Sequence, residues 1–187
     1  MGEILTRSGI SACVSSWTRT ADNMIPSRAK LNGSYINASL MKNEALRNGF
    51  DDAIALDNNG HVTEGTVANI FLVRGGRLYT PDTSSDILEG ITRNSVIELA
   101  NSLGLTVAER PIDRSEIYIS DEAMFVGSSA KVTPILSVDH RPIGDGTVGP
   151  ITKRLAERYD ELQHARLQLS DKWLTAVYSQ YSLSPTP

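Results

Sequence analysis

At 187 residues, with 40% of them hydrophobic and 21% charged, the chain has the size of one ordinary globular domain and enough apolar content for a continuous core. Its formal net charge of −4 excludes the basic footprint that nucleic acids and anionic membranes require, so neither is an expected partner. Cys13 is the only cysteine and cannot form an internal disulfide, and there is no run of about 18 apolar residues to cross a membrane, so a soluble, cytoplasmic protein is expected.

Residues 1–27 place Ile10, Val14, Trp17 and Ile25 among serines, threonines and a proline, which predicts an extended strand followed by a loop. This segment reads like the middle of a protein. The stretch from Arg28 to Asn37 follows, with Lys30 at the mouth of a helix and Tyr35 five positions on. From Ser34 to Asn48 the apolar positions Ile36, Leu40, Met41 and Leu46 recur at helical spacing, and Gly49 stands where a C-terminal cap belongs. Ala53 to Leu56 and His61 to Thr63 are predicted β arms around an Asn58-Asn59-Gly60 turn. Ala68 to Val73 and Arg77 to Thr80 form a second hairpin across Gly75 and Gly76.

Thr92 to Leu103 carries Val96, Leu99, Ala100 and Leu103 on one face, with Gly104 beyond, and predicts an amphipathic helix. Leu105 to Glu109 is the next strand, and Asp113 with Glu116 forms a capping-box pair that starts a short helix. Strands over Ala123 to Val126, Val132 to Val138 and Arg141 to Ile143 precede a last helix opened by Pro150 and carrying Ile151, Leu155, Tyr159 and Leu162. The tail from Ser170 to the closing Ser-Pro-Thr-Pro is expected to fray.

Several patterns carry chemistry only in company. A lysine amine such as that of Lys30 is a nucleophile when a dry pocket or a nearby cation lowers its pKa, and it condenses with carbonyls; most lysines are simply solvated. Gly90, Ile91 and Thr92 open the amphipathic helix, where unpaired N–H groups attract phosphate, although Thr92 alone is also a good cap. Glu64 ends a β arm, and Gly127, Ser128 and Ser129 follow a buried strand in a turn that offers amides and hydroxyls to an anion. Ser27-Arg28-Ala29-Lys30 matches a serine-x-x-lysine motif, but without the further motifs that complete such a site. Gly144, Gly146 and Gly149 match a dinucleotide fingerprint with no βαβ unit behind it, so a glycine-rich turn into a helix is expected. Cys13 reads as a small buried filler, and His61, His140 and His164 as loop or surface residues without metal-ligand spacing.

Taken together, Lys30, Gly33, Tyr35 and Asn37, then Glu44 with Ala45, Leu56 with Asp57, Val62 with Glu64 and Gly65, Asn69 with Phe71, Thr80 with Pro81, Leu88 with Gly90 to Arg93, and Asp121 with Glu122, Gly127 and Pro134 resemble fold type IV pyridoxal-phosphate aminotransferases over roughly residues 8–160. The branched-chain amino acid aminotransferase family is the nearest match. Ser120, Ser128 and Ser129 depart from its usual pattern, which bears on substrate preference more than on activity. The resemblance implies a mixed α+β large domain with a β-barrel-like pair of sheets and surrounding helices, over residues 28–168, with residues 1–27 as connector and leading strand and 169–187 as a tail.

It also implies roles. Lys30 would hold pyridoxal 5′-phosphate through a Schiff base and shuttle a proton from Cα of the amino acid. Glu64 would pair with the pyridine nitrogen, Tyr35 would bond the phenolic oxygen, and Leu88, Ile91, Thr92 and Ser128 would complete the cofactor site. Ser128, Ser129 and Ala130 would bind the substrate carboxylate. No metal is implied. The implied partners are amino acid and 2-oxo acid substrates and further copies of the chain in a homo-oligomer. Family members carry a smaller amino-terminal domain before this region, so a large-domain fragment is expected. The alternatives are a non-catalytic remnant serving assembly, or a related D-amino acid aminotransferase or aminodeoxychorismate lyase.

Overall fold

The computed structural model describes residues 9–167 and 170–175. The chain runs β1 (Ile10–Thr18), α1 (Tyr35–Arg47), β2 (Asp52–Leu56), β3 (Val62–Gly65), β4 (Asn69–Arg74), β5 (Arg77–Thr80), α2 (Ile91–Ser102), β6 (Val107–Glu109), α3 (Arg114–Tyr118), β7 (Glu122–Gly127), β8 (Lys131–Val138), β9 (Arg141–Pro142), α4 (Pro150–Gln163) and α5 (Ser170–Trp173). The strands form one sheet in the order β3-β2-β1-β8-β7-β4-β5-β6, with β9 paired to β8. β1 lies parallel to both β2 and β8, and β5 is parallel to β6. The sheet curls until its ends meet: Val62 N–H donates to the Ile112 carbonyl at 2.8 Å, and His61 bridges to Asp113. The class is therefore the expected mixed α+β, and its barrel-like character comes from one strand path bent on itself.

Alternation along the central strands divides the core in two, because successive side chains leave opposite faces of a strand. Ile70 and Leu72 of β4 join Ala123 and Phe125 of β7 inside the curl, while Phe71 and Val73 join Met124 and Val126 on the outer face under α2 and α4. Strands buried on both faces need apolar residues at every position, which is why β4 reads as an unbroken apolar run. The β4–β5 hairpin turns through Gly75 and Gly76 at φ of 56° and 74°, a region side chains avoid. Glu116 accepts from the Asp113 N–H at 3.1 Å and fixes the start of α3.

The helix expected over Ser34 to Asn48 is α1, and the expectation of a fraying tail needs correction. Along α1 the apolar positions Ile36, Leu40, Met41 and Leu46 recur at helical spacing, yet Ile36 is 70% exposed and Leu46 57%. The face that packs is Ala38, Met41 and Ala45, with Met41 and Ala45 set against Cys13, Phe50, Ala53 and Ala55. Small side chains at the same helical spacing let α1 lie close to β1 and β2, leaving the larger ones outside. The tail expected to fray from Ser170 begins with helix α5, and Trp173 Nε1 donates to Glu98 at 3.1 Å while its ring packs against the outer core. Residues 176–187, with the Ser-Pro-Thr-Pro end, lie outside the described residues.

Other readings hold. Cys13 is buried, and burial together with nearby carboxylates pushes its thiol up to about 11. The Gly144–Gly149 segment is a turn into α4, and Glu122 fills the start of that helix, accepting from the N–H groups of Ile151 at 3.1 Å and Thr152 at 2.6 Å. A Cβ on Gly149 would collide with the Glu122 side chain, so only glycine admits the carboxylate there. No helix among the described residues is long and apolar enough to cross a membrane.

Candidate active site

Three segments meet at one mouth of the curled sheet. The first follows β1 and contains two short 3₁₀ turns, Ser27–Ala29 and Asn32–Ser34, on either side of Lys30. Lys30 itself is left-handed, at φ 50° and ψ 46°, a conformation uncommon for a residue with a side chain. The second is the end of β3, carrying Glu64. The third is the loop from Pro81 to Gly90 that leads into α2.

Glu64 is 5% exposed and held from several sides. Its Oε1 lies 2.6 Å from Arg19 Nη2, and its Oε2 accepts from Asn69 Nδ2 at 3.0 Å and from the Leu88 N–H at 3.1 Å. Asn69 Nδ2 also donates to the Leu88 carbonyl at 2.8 Å, tying the loop to β4. Burial pushes the Glu64 carboxyl up to about 7, against the opposing pull of the Arg19 charge, the Leu88 N–H and the Lys30 ammonium. Lys30 and Glu64 thus act on each other across the same space.

Helix α2 starts from Gly90, which brings no capping side chain, so its first N–H groups lack an acceptor within the helix and carry partial positive charge beside the cleft. Glycine is required at this point because a Cβ would run into Asn69 Oδ1. Thr92 is buried, and its hydroxyl lies 3.3 Å from the Tyr159 hydroxyl of α4.

These segments enclose a cleft of about 350 Å³. Of the residues expected at the site, Lys30, Tyr35, Glu64, Leu88, Ile91, Thr92 and Ser128 all line it. Ser129 and Ala130 do not. Ser129 is exposed on the turn after β7, and Ala130 packs against the inner core. The cleft also holds two residues whose part the sequence did not disclose, Arg19 and Asn69. An arginine after a strand and an asparagine beginning one carry no local signal; only the curl of the sheet brings them to Glu64. An amine at Lys30, a buried carboxylate at Glu64 and an uncapped helix start at Gly90 suit a ligand with a carbonyl, a basic ring nitrogen and a phosphate.

The chain is also similar to known proteins. Residues 2–138 match the family model described as amino-transferase class IV. A probable branched-chain-amino-acid aminotransferase of Aquifex aeolicus is 49% identical over 176 residues, which make up 94% of this chain and 57% of that protein. The crystal structure of the branched-chain amino acid aminotransferase of Thermobaculum terrenum in its PLP-form superposes with a TM-score of 0.91 at 43% identity, covering 96% of this chain and 59% of that one. The T.th. branched-chain amino acid aminotransferase complexed with N-(5′-phosphopyridoxyl)-L-glutamate gives 0.89 at 43%, covering 92% and 57%. The chain therefore spans a little over half the length of the relatives it matches.

Proposed function

The chain belongs to the class IV aminotransferases, and on that premise we propose that it carries the pyridoxal 5′-phosphate site of a branched-chain amino acid transaminase, moving the amino group of leucine, isoleucine or valine to 2-oxoglutarate. One observation carries this reading: Lys30, Glu64 and the uncapped start of α2 line a single cleft. The glutamate adduct named for the T.th. enzyme supports 2-oxoglutarate and glutamate as the second substrate pair.

Pyridoxal 5′-phosphate, when bound, supplies a carbonyl that takes an amine and a ring that draws electrons from the bond broken at the substrate Cα. The chain does the rest. Lys30 Nζ would hold the carbonyl end and, as a free amine, would be the base that carries the Cα proton. Glu64 would pair with the ring nitrogen, and Arg19 opposes the loss of negative charge on that buried carboxyl. The amides of Ile91 and Thr92 with the Thr92 hydroxyl would hold the phosphate, Tyr35 would bond the phenolic oxygen, and Ser128 would offer a hydroxyl to an anionic group; all line the cleft. Met24, Ile36 and Ile91, the last of which lines the cleft, are exposed apolar side chains, a surface that fits assembly into a homo-oligomer.

The test is borohydride reduction in the presence of pyridoxal 5′-phosphate, followed by peptide mass mapping. The label is expected on Lys30, and L-leucine with 2-oxoglutarate should yield glutamate. A label that survives Lys30→Ala overturns the cofactor assignment, and faster turnover of D-alanine than L-leucine moves the chain to the D-amino acid branch.

A further inference from the structure

Arg28 lies two residues before Lys30 and reaches across to the loop that leads into α2. Its Nε donates to Glu89 Oε1 at 2.6 Å, Nη2 to the Thr83 carbonyl at 2.5 Å, and Nη1 to Asp22 Oδ1 at 3.4 Å. That loop is itself pinned. Asp82 accepts from Ser84 N–H and from both the Ser84 and Ser85 hydroxyls, and Arg93 donates to the Pro81 carbonyl at 2.9 Å. The turn bearing Lys30 has weaker internal support, since the Lys30 N–H reaches the Ser27 carbonyl only at 3.5 Å. Lys30 nevertheless holds a left-handed backbone, which persists in a residue with a side chain only where the surroundings impose it.

We propose that Arg28 is a positioning residue: its three-way grip on Glu89, Thr83 and Asp22 fixes the Lys30 turn to the α2 loop, and so sets the reach from the Lys30 amine to the phosphate cup. This rests on the cofactor reading above. Arg28 lines the cleft, but its charge is already matched by Glu89 and Asp22, so it acts through the turn and not as a ligand for substrate. The arginine fork is what the geometry uses, because a lysine could meet Glu89 but not the Thr83 carbonyl at the same time.

The experiment compares pyridoxal phosphate with pyridoxamine phosphate in the full chain. Pyridoxamine phosphate has no carbonyl and cannot bond to Lys30, so it reads the cup and Glu64 alone. Arg28→Ala should weaken pyridoxal phosphate about tenfold or more and pyridoxamine phosphate less than about twofold. Arg28→Lys should fall between. Glu89→Gln, which keeps the arginine but removes its anion, should shift the same ratio in the same direction and decides the matter if Arg28→Ala does not fold. Equal losses for both ligands, no loss for either, or a change confined to the KM for 2-oxoglutarate would each overturn the proposal. If the wild-type protein takes no borohydride label on Lys30, the cofactor reading itself has failed, and this arm separates the two outcomes.

Discussion

Arg19 and Glu64 form a buried ion pair, with Nη2 and Oε1 2.6 Å apart and both side chains less than a tenth exposed. Removing one partner of such a pair leaves an uncompensated charge and costs about 3–5 kcal/mol. Arg19→Ala should therefore lower stability by up to that order above about pH 7, where Glu64 is ionised, and push the Glu64 carboxyl higher still. Urea unfolding of the cofactor-free protein checks the first effect, and a pH titration of cofactor binding checks the second.

The raised Glu64 pKa also fixes a pH dependence. The folded protein holds this proton up to about pH 7, whereas the unfolded chain releases it near the ordinary value of 4.5. Between those values the native state binds more protons, so stability from this group is fully present at low pH and declines as pH rises towards 7. The decline is about 3 kcal/mol at most. Unfolding midpoints of the cofactor-free protein measured across that interval should fall with pH, and Glu64→Gln should flatten the slope.

Tyr159 offers a second hydroxyl to Thr92 at 3.3 Å, both residues being buried. When the tyrosine donates, the threonine proton is left to point at a phosphate. Tyr159→Phe should weaken pyridoxal phosphate by about 1 kcal/mol, roughly fivefold, while leaving unphosphorylated pyridoxal unchanged. Parallel fluorescence titrations with the two ligands measure the difference.

Gly90→Ala keeps an ordinary backbone, since φ is −66°, but drives a methyl into Asn69 Oδ1. Asn69 cannot swing away without releasing Glu64 and the Leu88 carbonyl together. A loss of about 1–3 kcal/mol in stability is expected from the overpacking, with cofactor affinity falling alongside. Thermal unfolding and a cofactor titration of the same variant test both.

What the sequence disclosed was what neighbouring residues decide. The Asn58-Asn59-Gly60 turn, the Gly75-Gly76 pair, the Asp113 and Glu116 pair and Pro150 at the start of α4 all act within a few positions, and the elements fell where they pointed. Which face of α1 packs was not legible, because Ile36, Leu40 and Leu46 recur at helical spacing as Ala38, Met41 and Ala45 do. Lys30, Glu64 and Thr92 were legible as candidates through the family resemblance, since alone each has an ordinary reading as a solvated charge or a helix cap. Arg19 was not, and Asn69 stood only in the family pattern with no role attached, since their meaning depends on a sheet that closes on itself and brings distant segments to one carboxylate.

Two helices among the described residues begin after a glycine, yet only one of those beginnings is open. At α4 the Glu122 carboxylate already occupies the amide opening, while at α2 the corresponding place faces the cleft. Sulfate or inorganic phosphate added to the protein should thus compete with a phosphorylated ligand at α2 and find no second berth at α4. The internal plug directs anion traffic to a single port.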